Sequence, residues 1–68
     1  MKLKHFLVTF HLPQRQLEQI ICEESLPVLR NKLTRDIADR NIDYIKIDGT
    51  IIFTRHIKSF HIQKIYTR

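Results

Sequence analysis

Tyr44-Ile45-Lys46-Ile47-Asp48-Gly49-Thr50-Ile51-Ile52-Phe53 decides how this chain is read. Two runs rich in β-branched and aromatic residues flank Asp-Gly, a dipeptide that supplies the positive backbone angles of a tight type I′ turn. Gly49 is the sole glycine in the sequence. A two-residue turn fixes the register of the hairpin: Ile47 faces Thr50, Lys46 faces Ile51, Ile45 faces Ile52 and Tyr44 faces Phe53. Side chains alternate along a strand. Ile45, Ile47, Thr50 and Ile52 therefore share the face assigned to the core, and Tyr44, Lys46, Ile51 and Phe53 share the other.

Upstream of the hairpin, Leu26, Leu29, Leu33 and Ile37 recur at helical spacing, predicting a helix over residues 27–41. Ser25-Leu26-Pro27 marks its start, because proline disfavours helical geometry at Leu26 and lacks a backbone donor. Asn41 is the expected terminator. Lys32 with Asp36, Asp36 with Arg40, and Arg35 with Asp39 stand four apart and are expected to pair. Before the break, Pro13 suits a first helical turn, and Leu17, Ile20 and Ile21 fit one helical stripe. Residues 13–24 are thus expected to be helical, as a separate helix or the first half of a kinked one.

The ends of the chain read as strands. Phe6, Val8 and Phe10 fall on one side of residues 3–11, with Leu3, His5, Leu7, Thr9 and His11 on the other. In residues 57–66, Phe60 and Ile62 alternate with Ser59, His61 and Gln63. Ile65 breaks that alternation and predicts a bulge or a change of face near Gln63 and Lys64. The expected fold is α+β: a small β-α(α)-β-β-β sheet, with a kinked helix or helix pair packed on one face.

Sixty-eight residues, 43% hydrophobic and 28% charged, make one small globular domain over residues 1–68. Cys22 is the lone cysteine, so no disulfide forms within the chain, and a single thiol fits a reducing compartment. The basic, apolar start imitates a signal peptide, but His11 and Pro13 interrupt it and no small-residue cleavage site follows. No apolar run approaches the roughly 20 residues of a membrane span. A soluble, cytoplasmic protein without membrane contact is expected.

Charge is unevenly placed. The net charge is +5 and the pI about 9.8. Residues 13–42 balance five basic residues against five acidic ones, whereas no acidic residue follows Asp48. Beyond it stand Arg55, Lys58, Lys64 and Arg68, and all six aromatic residues lie in the extended segments. A basic sheet surface carrying aromatic groups suits a polyanion. Lys46, Arg55, Lys58, Lys64 and Arg68 are the candidate contacts to nucleic acid. Tyr44 and Phe53 are the candidate stacking groups for unpaired bases.

Two other readings use the same residues. An acidic protein surface rewards the same lysines, which makes the chain an adaptor or inhibitor. Tyr44, Ile51, Phe53 and Leu7 also form a patch apolar enough to close a homodimer, with the last strand as an alternative pairing edge. The plainest reading of Tyr44 and Phe53 is a cross-strand pair that stabilises the hairpin by under about 1 kcal/mol.

Nothing in the sequence specifies chemistry. His5 and His11 are six residues apart on one strand, roughly 20 Å when extended, too far to share a metal ion. No Cys-x-x-Cys or His-Glu-x-x-His spacing occurs, and one glycine cannot build a phosphate loop. A ribonuclease reading built on His56 or His61 has no second group placed beside either. A non-enzymatic protein with no cofactor, metal or small-molecule substrate is expected.

Overall fold

The computed structural model describes residues 2–66. Its elements are β1 (Lys4–His11), β2 (Gln16–Glu23), α1 (Leu26–Ala38), β3 (Tyr44–Ile47), β4 (Thr50–Phe53), a 3₁₀ turn (Thr54–His56) and β5 (Ser59–Ile65). The fold is α+β, as its sequence predicts. β1 is the centre of an antiparallel three-stranded sheet ordered β2-β1-β5, and β3 and β4 form a separate two-stranded sheet.

The expected helix at residues 13–24 is instead a strand. Leu17, Gln19, Ile21 and Glu23 of β2 are partly buried, while Gln16, Glu18, Ile20 and Cys22 are exposed, a period of two. Leu17, Ile20 and Ile21 fit a helical stripe equally well on paper, but adjacent β-branched isoleucines favour an extended chain. The connection through Pro13 folds back at once, with the Leu12 N–H donating to the Arg15 carbonyl at 2.9 Å. β2 then pairs with β1 along its whole length, from Lys4 opposite Glu23 to His11 opposite Gln16. Among the described residues one α-helix remains, and it begins where the sequence places its start. Ser25 caps it by accepting a hydrogen bond from the Val28 N–H at 3.4 Å, with proline in the first turn.

Phe6, Val8, Phe10, Leu29, Leu33 and Ile52 form the core, with Ile45, Ile47, Phe60 and Ile62 packed against it. The inward face of β1, the stripe of α1 and the inner face of the hairpin thus meet in the middle. The molecule has two layers: the three-stranded sheet, and the helix with the hairpin beside it. The sequence predicts a single sheet, whereas the hairpin stands apart from β2-β1-β5 as a sheet of its own. Its outward face and the outward face of β1 consequently point away from each other. Leu7 and His5 do not join Tyr44, Ile51 and Phe53 in one patch.

Two smaller expectations also change. β5 pairs with β1 without interruption, from His11 opposite Ser59 to His5 opposite Ile65, so there is no bulge near Gln63. Lys64 shares the inner row with Phe60 and Ile62, opposite Phe6 of β1, yet is exposed, and Ile65 falls on the outer face. The charge pairs expected along α1 give way to a link between elements, in which Lys32 Nζ lies 2.7 Å from Glu23 Oε2 on β2. Nor is the helix neutral: α1 carries Arg30, Lys32 and Arg35 against Asp36, a net +2, while β2 carries Glu18 and Glu23 with no base. The balanced segment is a basic helix following an acidic strand. Among the described residues, no helix is long and apolar enough to cross a membrane.

Candidate nucleic-acid interface

The hairpin register places its outer face as the sequence requires. Tyr44 lies opposite Phe53 and Lys46 opposite Ile51. Asp48 and Gly49 take φ values of 50° and 88°, the left-handed pair of a type I′ turn. At the open end of the hairpin, Thr54 is buried. Its hydroxyl oxygen lies 2.9 Å from the Ile42 carbonyl and 3.2 Å from the Asp43 carbonyl, so one O–H is shared between them. The Thr54 N–H donates to the Asp43 carbonyl at 3.0 Å. This anchor starts the 3₁₀ turn directly after β4, which brings the next two side chains back beside Phe53.

Tyr44, Ile51 and Phe53 are 50%, 52% and 45% exposed. The two rings meet edge to face, with centroids 6.4 Å apart and planes at 73°. The Arg55 guanidinium lies 5.9 Å from the Phe53 ring centre, within cation–π range. The His56 ring stands 6.0 Å from Phe53 at 70°. Tyr44, Lys46, Ile51, Phe53 and Arg55 thus form one exposed patch, and His56 joins it. Sequence reasoning did not place His56 beside Phe53. Its nearness to Phe53 follows from the tight turn, which no local pattern announces.

A groove of about 470 Å³ opens beside Phe53 and Arg55, with Ile37, Asp39, Arg40 and Asp43 among its walls. Arg40 is a basic group that the sequence reading missed, since spacing alone assigned it to Asp36. Two acids share the groove with Arg40 and Arg55, and Asp39 Oδ1 accepts a hydrogen bond from the Asn41 N–H at 2.9 Å.

The remaining candidates lie elsewhere. Lys58 stands just before β5, where its backbone N–H donates to the His11 carbonyl at 2.8 Å. Lys64 lies toward the opposite end of β5, about 20 Å further along an extended chain. Its ammonium is 5.0 Å from the Tyr66 ring centre, and it shares a small cleft with Leu3, Lys4 and His5. Lys58 and Lys64 therefore stand far apart from each other along β5. Arg68 lies outside the described residues.

The outer face of the three-stranded sheet carries His5, His11 and His61, with Leu7 and the 57%-exposed Ile20 between them. His61 sits opposite Thr9, whereas His56 faces Phe53, so these two histidines do not converge. Cys22 is exposed and lies opposite His5. Among the described residues, no group of three or more His, Cys, Asp or Glu is arranged to hold a metal ion. The Glu23 carboxyl is held below its ordinary pKa, chiefly by the hydrogen bond from Lys32 and then by that from the Glu24 N–H. Compared with protein-family models, curated proteins and solved structures, the chain matches none.

Proposed function

We propose that this chain is a non-enzymatic, cytoplasmic nucleic-acid-binding protein that holds unpaired bases on the outer face of the β3–β4 hairpin. The observation that carries the proposal is the half-exposed Tyr44–Phe53 pair, framed by Lys46 on the same face and Arg55 beside the Phe53 ring. Aromatic faces accept any base, and stacking contributes about 1–3 kcal/mol per base. The rings meet edge to face, and about half of each residue is exposed to an incoming base. Lys46 and Arg55 neutralise phosphates, with Arg40 at the groove rim extending the basic track. Lys58, Lys64 and Arg68 add attraction at longer range, consistent with the net charge of +5.

Ile51 favours a second reading. An aliphatic side chain 52% exposed beside two aromatic rings adds little to phosphate binding, but it suits a protein partner with an acidic rim. Fluorescence anisotropy of labelled single-stranded and duplex oligonucleotides, at about 50 and 200 mM salt, separates the two readings. The proposal expects binding that prefers single strands, weakens as salt rises, and falls about fivefold or more in Phe53→Ala, the loss of one stacked base. No binding at low salt, combined with retention of a protein from nuclease-treated lysate, would establish protein docking instead.

A further inference from the structure

The groove beside Phe53 differs in chemistry from the basic patch it adjoins. The end of α1 forms one wall, Asp39, Arg40 and Asp43 a second, and Phe53 with Arg55 a third. Its volume of about 470 Å³ suits a small ligand group, since such sites span about 300–1,000 Å³. The groove is rich in hydrogen-bond acceptors. The last four carbonyls of a helix lack partners within it, and α1 ends in this wall at Ala38. Asp39 and Asp43 add two carboxylates.

Asp43 is the better placed of the two. The Thr54 N–H donates to its carbonyl and carries the hairpin ladder one residue past Tyr44. Alternation then puts the Asp43 side chain on the inner side with Ile45. Asp39 Oδ1 is already taken by the Asn41 N–H, whereas the Asp43 carboxylate accepts no hydrogen bond among the described residues. Two guanidiniums share the groove, yet the ion pair found among the described residues joins Lys32 to Glu23. Neither Arg40 nor Arg55 closes on an acid.

We infer that this groove selects guanine, with the Asp43 carboxylate accepting hydrogen bonds from the N1–H and the N2 amino group of the base. The inference rests on the nucleic-acid reading above and names the base which that reading leaves open. An ionised carboxylate only accepts hydrogen bonds. Guanine alone among the DNA bases has two adjacent donors on its Watson–Crick edge. Adenine and cytosine set an acceptor beside their amino group, and thymine flanks its N–H with two carbonyls. Against those edges a carboxylate meets lone pairs. A phosphate is a poor occupant for the same reason, because two acids face it. Phe53 offers the stacking surface, and Arg55, 5.9 Å from its ring centre, with Arg40 supplies the phosphate contacts outside the base.

Anisotropy with a labelled oligo-dT strand carrying one central dG tests the inference, beside the same strand with deoxyinosine, dA or dT at that position. The parent chain is expected to bind the dG strand about fivefold or more tighter than the dA and dT strands. Deoxyinosine, which lacks only the N2 amino group, is expected to fall between them. Asp43→Asn is expected to remove the preference while keeping the affinity for plain oligo-dT. The strand comparison uses the parent chain alone, so it does not depend on the stability of that variant. Equal binding of all four strands would overturn the inference and leave the stacking proposal standing. Deoxyinosine binding as tightly as dG, or a dG preference that survives Asp43→Asn, would also overturn it. No binding to any strand would overturn both.

Discussion

Phe53 touches more of the candidate interface than any other side chain, since Tyr44, Arg55 and His56 all lie about 6 Å from its ring. It is also 45% exposed, so its removal leaves no buried void. Phe53→Ala should therefore cost under about 1 kcal/mol of stability while weakening oligonucleotide binding severalfold more than that loss can explain. Urea unfolding and anisotropy on the same preparation check both halves. At Glu23 the relevant residue-scale property is protonation. Its carboxyl titrates below the usual range because Lys32 hydrogen-bonds the charged form. The stability gained is fully present above the unfolded-state pKa of glutamate and is lost as pH falls through the lower folded value. Glu23→Gln should accordingly lower the urea midpoint near neutral pH, and the gap from the parent chain should close in strong acid. A gap that stays constant with pH would place the stabilisation elsewhere.

The elements differ in how plainly the sequence announces them. Asp48-Gly49 declares the β3–β4 hairpin and its register together, which is why Tyr44, Lys46, Ile51 and Phe53 could be placed on one face from sequence alone. The start of α1 was legible because a proline and an apolar stripe agree there, whereas the Ser25 cap and the end at Ala38, before the expected Asn41, were not. Nor was β2 legible. Leu17, Ile20 and Ile21 satisfy both helical and extended spacing, and the choice between them is made by pairing with β1, a contact that sequence periodicity does not report. The site shows the same limit: the tight turn after β4 sets His56 beside Phe53, a contact that no periodicity reports. The turn itself carries a clean prediction. A Cβ at Gly49 meets nothing within 4 Å, but φ is 88° there. Gly49→Ala should therefore destabilise through backbone strain alone, by about 1–2 kcal/mol. Thermal unfolding would measure it, and Gly49→Asn should recover part of the loss, because asparagine tolerates the left-handed region.

At the scale of the whole molecule, a small core couples the two layers. Phe10 is fully buried near the end of β1, with its ring 6.4 Å from Phe60, and the same cluster takes Leu29 and Leu33 from α1 and Ile52 from the hairpin. Phe10→Ala should cost about 3–5 kcal/mol, comparable to the whole stability of roughly 3–10 kcal/mol expected at this length. Loss of a cooperative unfolding transition is the expected outcome. The exposed patch on the hairpin lies on the far side of that core from the outer face of β1, so binding there need not disturb the three-stranded sheet. That separation makes the location of binding directly observable. The decisive measurement is a nuclear magnetic resonance titration of the isotope-labelled chain with a short single-stranded oligonucleotide. The hairpin reading predicts saturable shifts at Tyr44, Lys46, Ile51, Phe53 and Arg55, with little change at His5, Leu7 and His61. Shifts confined to β1 and β5, or none at low salt, would contradict it.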